Sequence, residues 1–186
     1  MSLFIQVIGN KFLKNLISYQ RKGLNELDKN SLRLFLFFSQ TQFSFSIKKD
    51  HELCALFSWE YELNTESELF DTIRNESLLK GDFLSVQLIF DSAHQVLIPS
   101  EFFNELDESK YLGVSWEISQ NEVIKSYSLD DINAHIIYSF PESIFYWVKS
   151  RFFDASILNA SALFIQKALQ HDRKDGFYVR NGKSFI

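Results

Sequence analysis

A chain of 186 residues, 46% hydrophobic and 23% charged, suits one large globular domain and is too apolar to be disordered. Its 20 Phe are accompanied by only 6 Gly and 2 Pro; few backbone positions can then approach a phosphate closely, which weighs against nucleotide chemistry. The net charge of −5 combines +3 over residues 1–30 with −8 over the remaining 156, and an acidic body is a poor ligand for nucleic acid.

The one cysteine, Cys54, excludes an internal disulfide. Leu3–Ile8 is a short apolar run whose lysines follow rather than precede it, the wrong order for a secretory signal. No apolar run approaches the ~20 residues that span a bilayer. The cytoplasm is therefore the expected compartment.

In chain order, Lys11–Arg21 reads as a helix with Leu13, Leu16, Ile17 and Gln20 on one face. Its flanking lysines and arginine would suit a membrane surface, but a helix packed on the body explains the same pattern, and membrane contact through residues 11–22 is not expected. Leu34–Phe38 is apolar throughout, as in a strand buried on both faces. Phe43, Phe45 and Ile47 alternate with Ser44, Ser46 and Lys48, the period of a strand with one wet face. Leu53–Leu63 repeats that alternation with Phe57, Trp59, Tyr61 and Leu63 on one side. Three consecutive antiparallel strands result.

Thr65 and Glu68 make a capping box for a helix that buries Leu69, Phe70 and Ile73. Strands are expected at Phe83–Phe90 and Val96–Ile98, then a short helix from Ser100 carrying Phe102, Phe103 and Leu106. Gly113–Ile118 and Val123–Tyr127 read as a strand pair, and Ala134–Phe140 as a further strand. Pro141 opens a helix at a position where its missing N–H costs nothing; its core stripe is Ile144, Trp147 and Val148, with Phe145 and Phe152. A last helix near Asn159–Arg173 buries Leu158, Ala162, Ile165 and Leu169 and ends at Gly176. Asn181-Gly182 then supplies a type I′ hairpin turn in the tail.

Little of this carries chemistry. Gly182-Lys183-Ser184 has the end of a phosphate-binding loop, but Phe177 stands where the motif needs its first Gly, and the expected hairpin takes the place of the helix that the motif needs. His51 and Cys54 are too few for zinc and, three apart on a strand, would point to opposite faces. Cys54 reads as core, and His94, His135 and His171 are scattered. Glu60/Glu62 lie along the wet side of a strand and Asp130/Asp131 in a turn. No metal site emerges. Asp91, at the end of a strand where α/β sites often lie, is the acid to watch.

The order of three strands, helix, strand and closing helices resembles one half of the actin-like ATPase (ribonuclease H-like) fold. More narrowly, the chain resembles an uncharacterised bacterial family of unknown function with that fold. The carrying segments are LFLFFSQTQFSFSIKKD (34–50), VQLIFDSAHQVLIPSEFF (86–103) and AHIIYSFPESIFYWVKSRF (134–152). The resemblance implies an α/β (α+β) fold, a mixed sheet flanked by helices. It implies an N-terminal basic helical arm over 1–31, an actin-like domain over 32–176, and a hairpin over 177–186 where a second half would begin. Active members of the wider fold hold magnesium and phosphate with an Asp and a Gly-Thr or Gly-Ser in the first hairpin. Ser39-Gln40-Thr41-Gln42 stands there instead, leaving Thr41 and Asp91 as the weak cofactor-binding candidates and no catalytic residue. The expectation is a catalytically inactive actin-like domain acting through a protein partner or self-association, without cofactor. The alternative is an ATPase binding MgATP in a cleft completed by a missing half or by dimerisation.

Overall fold

Alternating apolar and polar residues in the first half build a sheet whose one face is core. A computed structural model describes residues 13–61, 66–171, 178–180 and 183–185. The chain divides into two compact units, Met1–Asp91 with Ser143–Ile157, and Ser92–Glu142 with Leu158–Ile186.

In the first unit, strands β1 (Leu13–Gln20), β2 (Arg33–Phe38), β3 (Gln42–Lys49), β4 (Glu52–Tyr61), β5 (Ser85–Phe90) and β9 (Ser156–Asn159) form a sheet of order β1-β4-β3-β2-β5-β9. The first four join antiparallel, and β2 runs parallel to β5, so the sheet is mixed. Register sets Leu36 opposite Phe45 and beside Leu88, and Phe38 opposite Phe43 and beside Phe90. These side chains are buried. Phe43 stacks on Trp59 at 5.7 Å and Phe45 on Phe57 at 5.0 Å, cross-strand ring pairs of the kind that stabilise a sheet. Helices α1 (Glu66–Asn75) and α3 (Glu142–Arg151) meet this face: Trp147 lies edge-on to Phe38 at 6.2 Å and stacks on Phe70 at 5.8 Å.

Two expectations for these strands change. Phe35 and Phe37 are half-buried, because Ser46 and Ser44 oppose them and make that side of the sheet partly polar. The helix expected over Lys11–Arg21 is absent: Leu13–Gln20 is an edge strand paired with β4. Its register shifts between Asn15 and Ile17, a bulge that inserts Leu16. Within the expected arm, the described residues Leu13–Gln20 are strand, with Lys14 Nζ 3.8 Å from Glu60. Lys29 fastens the following segment by donating to the carbonyls of Ser77, Leu78 and Lys80.

In the second unit, β6 (Gln95–Pro99), β7 (Glu122–Leu129) and β8 (Ala134–Pro141) form an antiparallel sheet of order β6-β8-β7. Leu129, Ile136 and Ala162 make a buried cluster that joins this sheet to α4 (Ala160–His171), with Tyr127 and Ile165 packed around it. Asn159 starts α4 by accepting from the Ala162 amide at 2.9 Å, the expected N-cap bond. Gly113–Ile118 is not a strand: Gly113 ends α2 (Glu108–Gly113), and Trp116 donates back to the Leu112 carbonyl. The helix expected from Ser100 is instead two 3₁₀ turns, Ser100–Phe102 and Glu105–Asp107, which leave Phe102 and Leu106 exposed.

β10 (Tyr178–Arg180) and β11 (Lys183–Phe185) pair antiparallel, with Arg180 opposite Lys183; the Asn181-Gly182 turn lies outside the described residues. Thr65 of the capping box, Leu63, Glu62 and Gly176 lie outside the described residues. Among the described residues no helix is long and apolar enough to cross a membrane.

Candidate functional site

Parallel pairing of β2 and β5 brings the ends of both strands to one edge, since Phe38 pairs with Phe90. The Ser39–Gln42 turn and Asp91 therefore meet there, joined by a bond from the Asp91 amide to the Phe38 carbonyl at 2.8 Å. This is where the carboxyl ends of strands in α/β sheets place ligands.

The turn is closed on itself. Ser39 N donates to the Gln42 carbonyl at 2.9 Å, while Ser39 Oγ accepts from Gln42 N at 3.1 Å and Thr41 N at 3.4 Å. Tyr61 holds the loop from β4: its hydroxyl donates to the Ser39 carbonyl at 2.5 Å and its amide to the Thr41 carbonyl at 2.9 Å. Beneath, Gln42 Nε2 donates to Ser58 Oγ at 2.8 Å and Ser44 Oγ donates to the same oxygen at 2.9 Å. A phosphate cradle needs several main-chain N–H groups turned outward together. Here three of them point inward to atoms of the turn itself. Thr41 is exposed and Asp91 half-buried, so the two weak candidates share an edge without a cradle between them.

Elsewhere the titratable groups serve structure. Cys54 is buried in β4 and unbonded to any other cysteine, and His51 sits in an exposed turn. His135 stacks on Phe103 at 3.8 Å and 7°. Asp130 accepts from the Ser128 hydroxyl within its turn. His94 Nδ1 lies 3.5 Å from Glu122 Oε1, half of a hydrolase arrangement. It lacks the other half: the buried Ser139 hydroxyl makes no hydrogen bond, so His94 does not activate it. Among the described residues no three His, Cys, Asp or Glu side chains gather as a metal site. Tyr61 is the residue the sequence did not single out for this edge. Its only sequence signal is an aromatic at a strand end, which core packing explains equally well.

Residues 21–179 match the model of a family of proteins of unknown function, DUF3822. The chain belongs to this family. No curated protein matches this DUF3822 chain. Among solved structures it is similar to a Bacteroides thetaiotaomicron protein with actin-like ATPase fold and unknown function. The TM-score is 0.68 and the identity 21%, with 75% of this chain and 56% of that chain covered. At that identity the likeness shows the fold alone: the DUF3822 chain has an actin-like ATPase fold and spans just over half the neighbour's length.

Proposed function

We propose that this domain works by binding another protein and not by turning over nucleotide. The observation that carries the reading is the Ser39–Gln42 turn, whose Thr41 and Gln42 amides donate to the Ser39 hydroxyl and whose sequence holds no acid and no glycine. Magnesium and phosphate need what this turn lacks. Partner binding is supported by apolar side chains of the second unit that stand exposed among the described residues. Phe102 is 66%, Leu106 89% and Val114 86% exposed, large apolar groups held in water at a cost that a protein interface removes. The neighbouring Glu101, Glu105 and Glu108 give that surface an acidic rim. A buried lone thiol fits the reducing cytoplasm as the place of work.

The test is proximity labelling in the native cell with wild type and with the double variant Phe102→Asp/Leu106→Asp. Both positions are exposed, so the fold is expected to persist, verified by circular dichroism. Loss of a defined set of labelled proteins in the variant is the expected result; an unchanged set would contradict a partner surface there.

A further inference from the structure

Cations of the first unit gather around one concavity. A cavity of about 80 Å³ is lined by Arg74 and Glu76 at and beyond the end of α1, Leu79 and Lys80 in the loop that follows, and Trp147 and Arg151 of α3. Arg151 Nη2 donates to the Leu79 carbonyl at 3.2 Å, which sets the guanidinium against the loop. Lys29 approaches the same loop, its ammonium on the carbonyls of Ser77, Leu78 and Lys80. Two carboxylates, Glu76 and Asp71, stand against the four cations Lys29, Arg74, Lys80 and Arg151. Glu76 spends Oε1 on the Leu78 amide at 3.1 Å. The Arg74–Asp71 pair, at 3.4 Å, is exposed and screened by water.

Burial holds the Lys29 ammonium below its ordinary pKa, and the positive charge of Arg151 adds to that effect while Glu76 opposes it. Like charges crowd this loop in a chain whose net charge is −5. Such a local excess suits an anion from outside, and arginine is the side chain best matched to a carboxylate fork. The volume decides the size of that anion. Sites for whole small molecules run to about 300–1,000 Å³; this one has room for a single anionic group with its stem against the indole.

We propose that the cavity takes the carboxylate of a glutamate or aspartate side chain from an acidic segment of a partner protein, held by Arg151, Arg74 and Lys80 beside Trp147. The inference rests on the reading that the domain binds a protein. The experiment follows the indole N–H resonances of the intact protein by two-dimensional NMR, with Trp147 assigned through Trp147→Phe. The probes are a capped tetraglutamate peptide, its tetraglutamine counterpart, inorganic phosphate and MgATP.

A saturable shift of Trp147 with tetraglutamate and none with tetraglutamine is expected. Loss of one charged hydrogen bond should raise the apparent Kd about tenfold in Arg151→Gln and in Lys80→Gln. Lys80 is exposed, so its variant keeps the test open if Arg151→Gln does not fold. No saturable shift, an equal response to tetraglutamine, or an unchanged Kd in Lys80→Gln would overturn the site. A response to phosphate without one to peptide would overturn the partner in favour of a free anion. Silence toward both peptide and MgATP would defeat this site alone, whereas a saturable MgATP response would defeat the protein-binding reading beneath it.

Discussion

At the scale of single residues, Ser39 decides what the first hairpin does. Its side chain occupies amides that a glycine at the same place would leave turned outward, and the Tyr61 hydroxyl fixes the Ser39 carbonyl from the neighbouring strand. A residue of similar consequence for pH is Tyr138, fully buried in β8. Burial holds its phenol well above the ordinary value of 10.0, and the negative charge of Glu108 acts in the same sense. Below that value the phenol is neutral in the folded and the unfolded chain, so its contribution to stability is fully present. Above it the unfolded chain loses the proton first and binds fewer protons than the folded one, so stability falls. Urea midpoints measured from about pH 9 to about pH 11 should fall more steeply for wild type than for Tyr138→Phe. Parallel slopes would show that Tyr138 does not titrate in this way.

At the scale of elements, the sheet of the first unit was legible because its period is regular. Phe43, Phe45 and Ile47 point one way on β3, and the register with β2 and β4 sets their apolar partners opposite. Replacing Phe45 by Ala should therefore cost about 3–5 kcal/mol, a large part of a stability of about 5–15 kcal/mol. Phe102→Ala, at an exposed position, should stay within about 0.5 kcal/mol. Chemical denaturation of the two variants checks the contrast, and comparable losses would place the core elsewhere.

The β1 strand was not legible, for a physical reason. The bulge at Leu16 adds one residue to the alternation, so Leu13, Leu16 and Ile17 fall at helical spacing although the backbone is extended. As an edge strand it also leaves Leu16 and Ile17 largely exposed, removing the one-sided burial that separates strand from helix. Val114, Trp116 and Ile118 misled in the opposite sense, alternating like a strand where Ser115 and Trp116 bond back to the end of α2. Of the candidate edge, Thr41 and Asp91 were visible as strand-end polar residues. The closure of the turn by Ser39 and Tyr61 depends on side chains meeting across strands, and the cation-lined cavity on Arg151 returning to the Leu79 loop; neither leaves a local pattern.

For the molecule as a whole, the fold is actin-like, while the Ser39–Gln42 turn at the sheet edge is closed on itself. A scaffold can keep its sheet and helices while a site grafted on it is lost, because core packing and site chemistry reside in different residues. The charge distribution fits this division: residues 31–186 carry a net charge of −8, which disfavours nucleic acid, while Arg74, Lys80 and Arg151 line one cavity. The most direct test of the central claim is a calorimetric titration of the intact protein with MgATP. No saturable heat up to millimolar nucleotide is the expected result. A saturable isotherm that Asp91→Asn abolishes would contradict it, establishing a nucleotide site at the edge where the turn is closed.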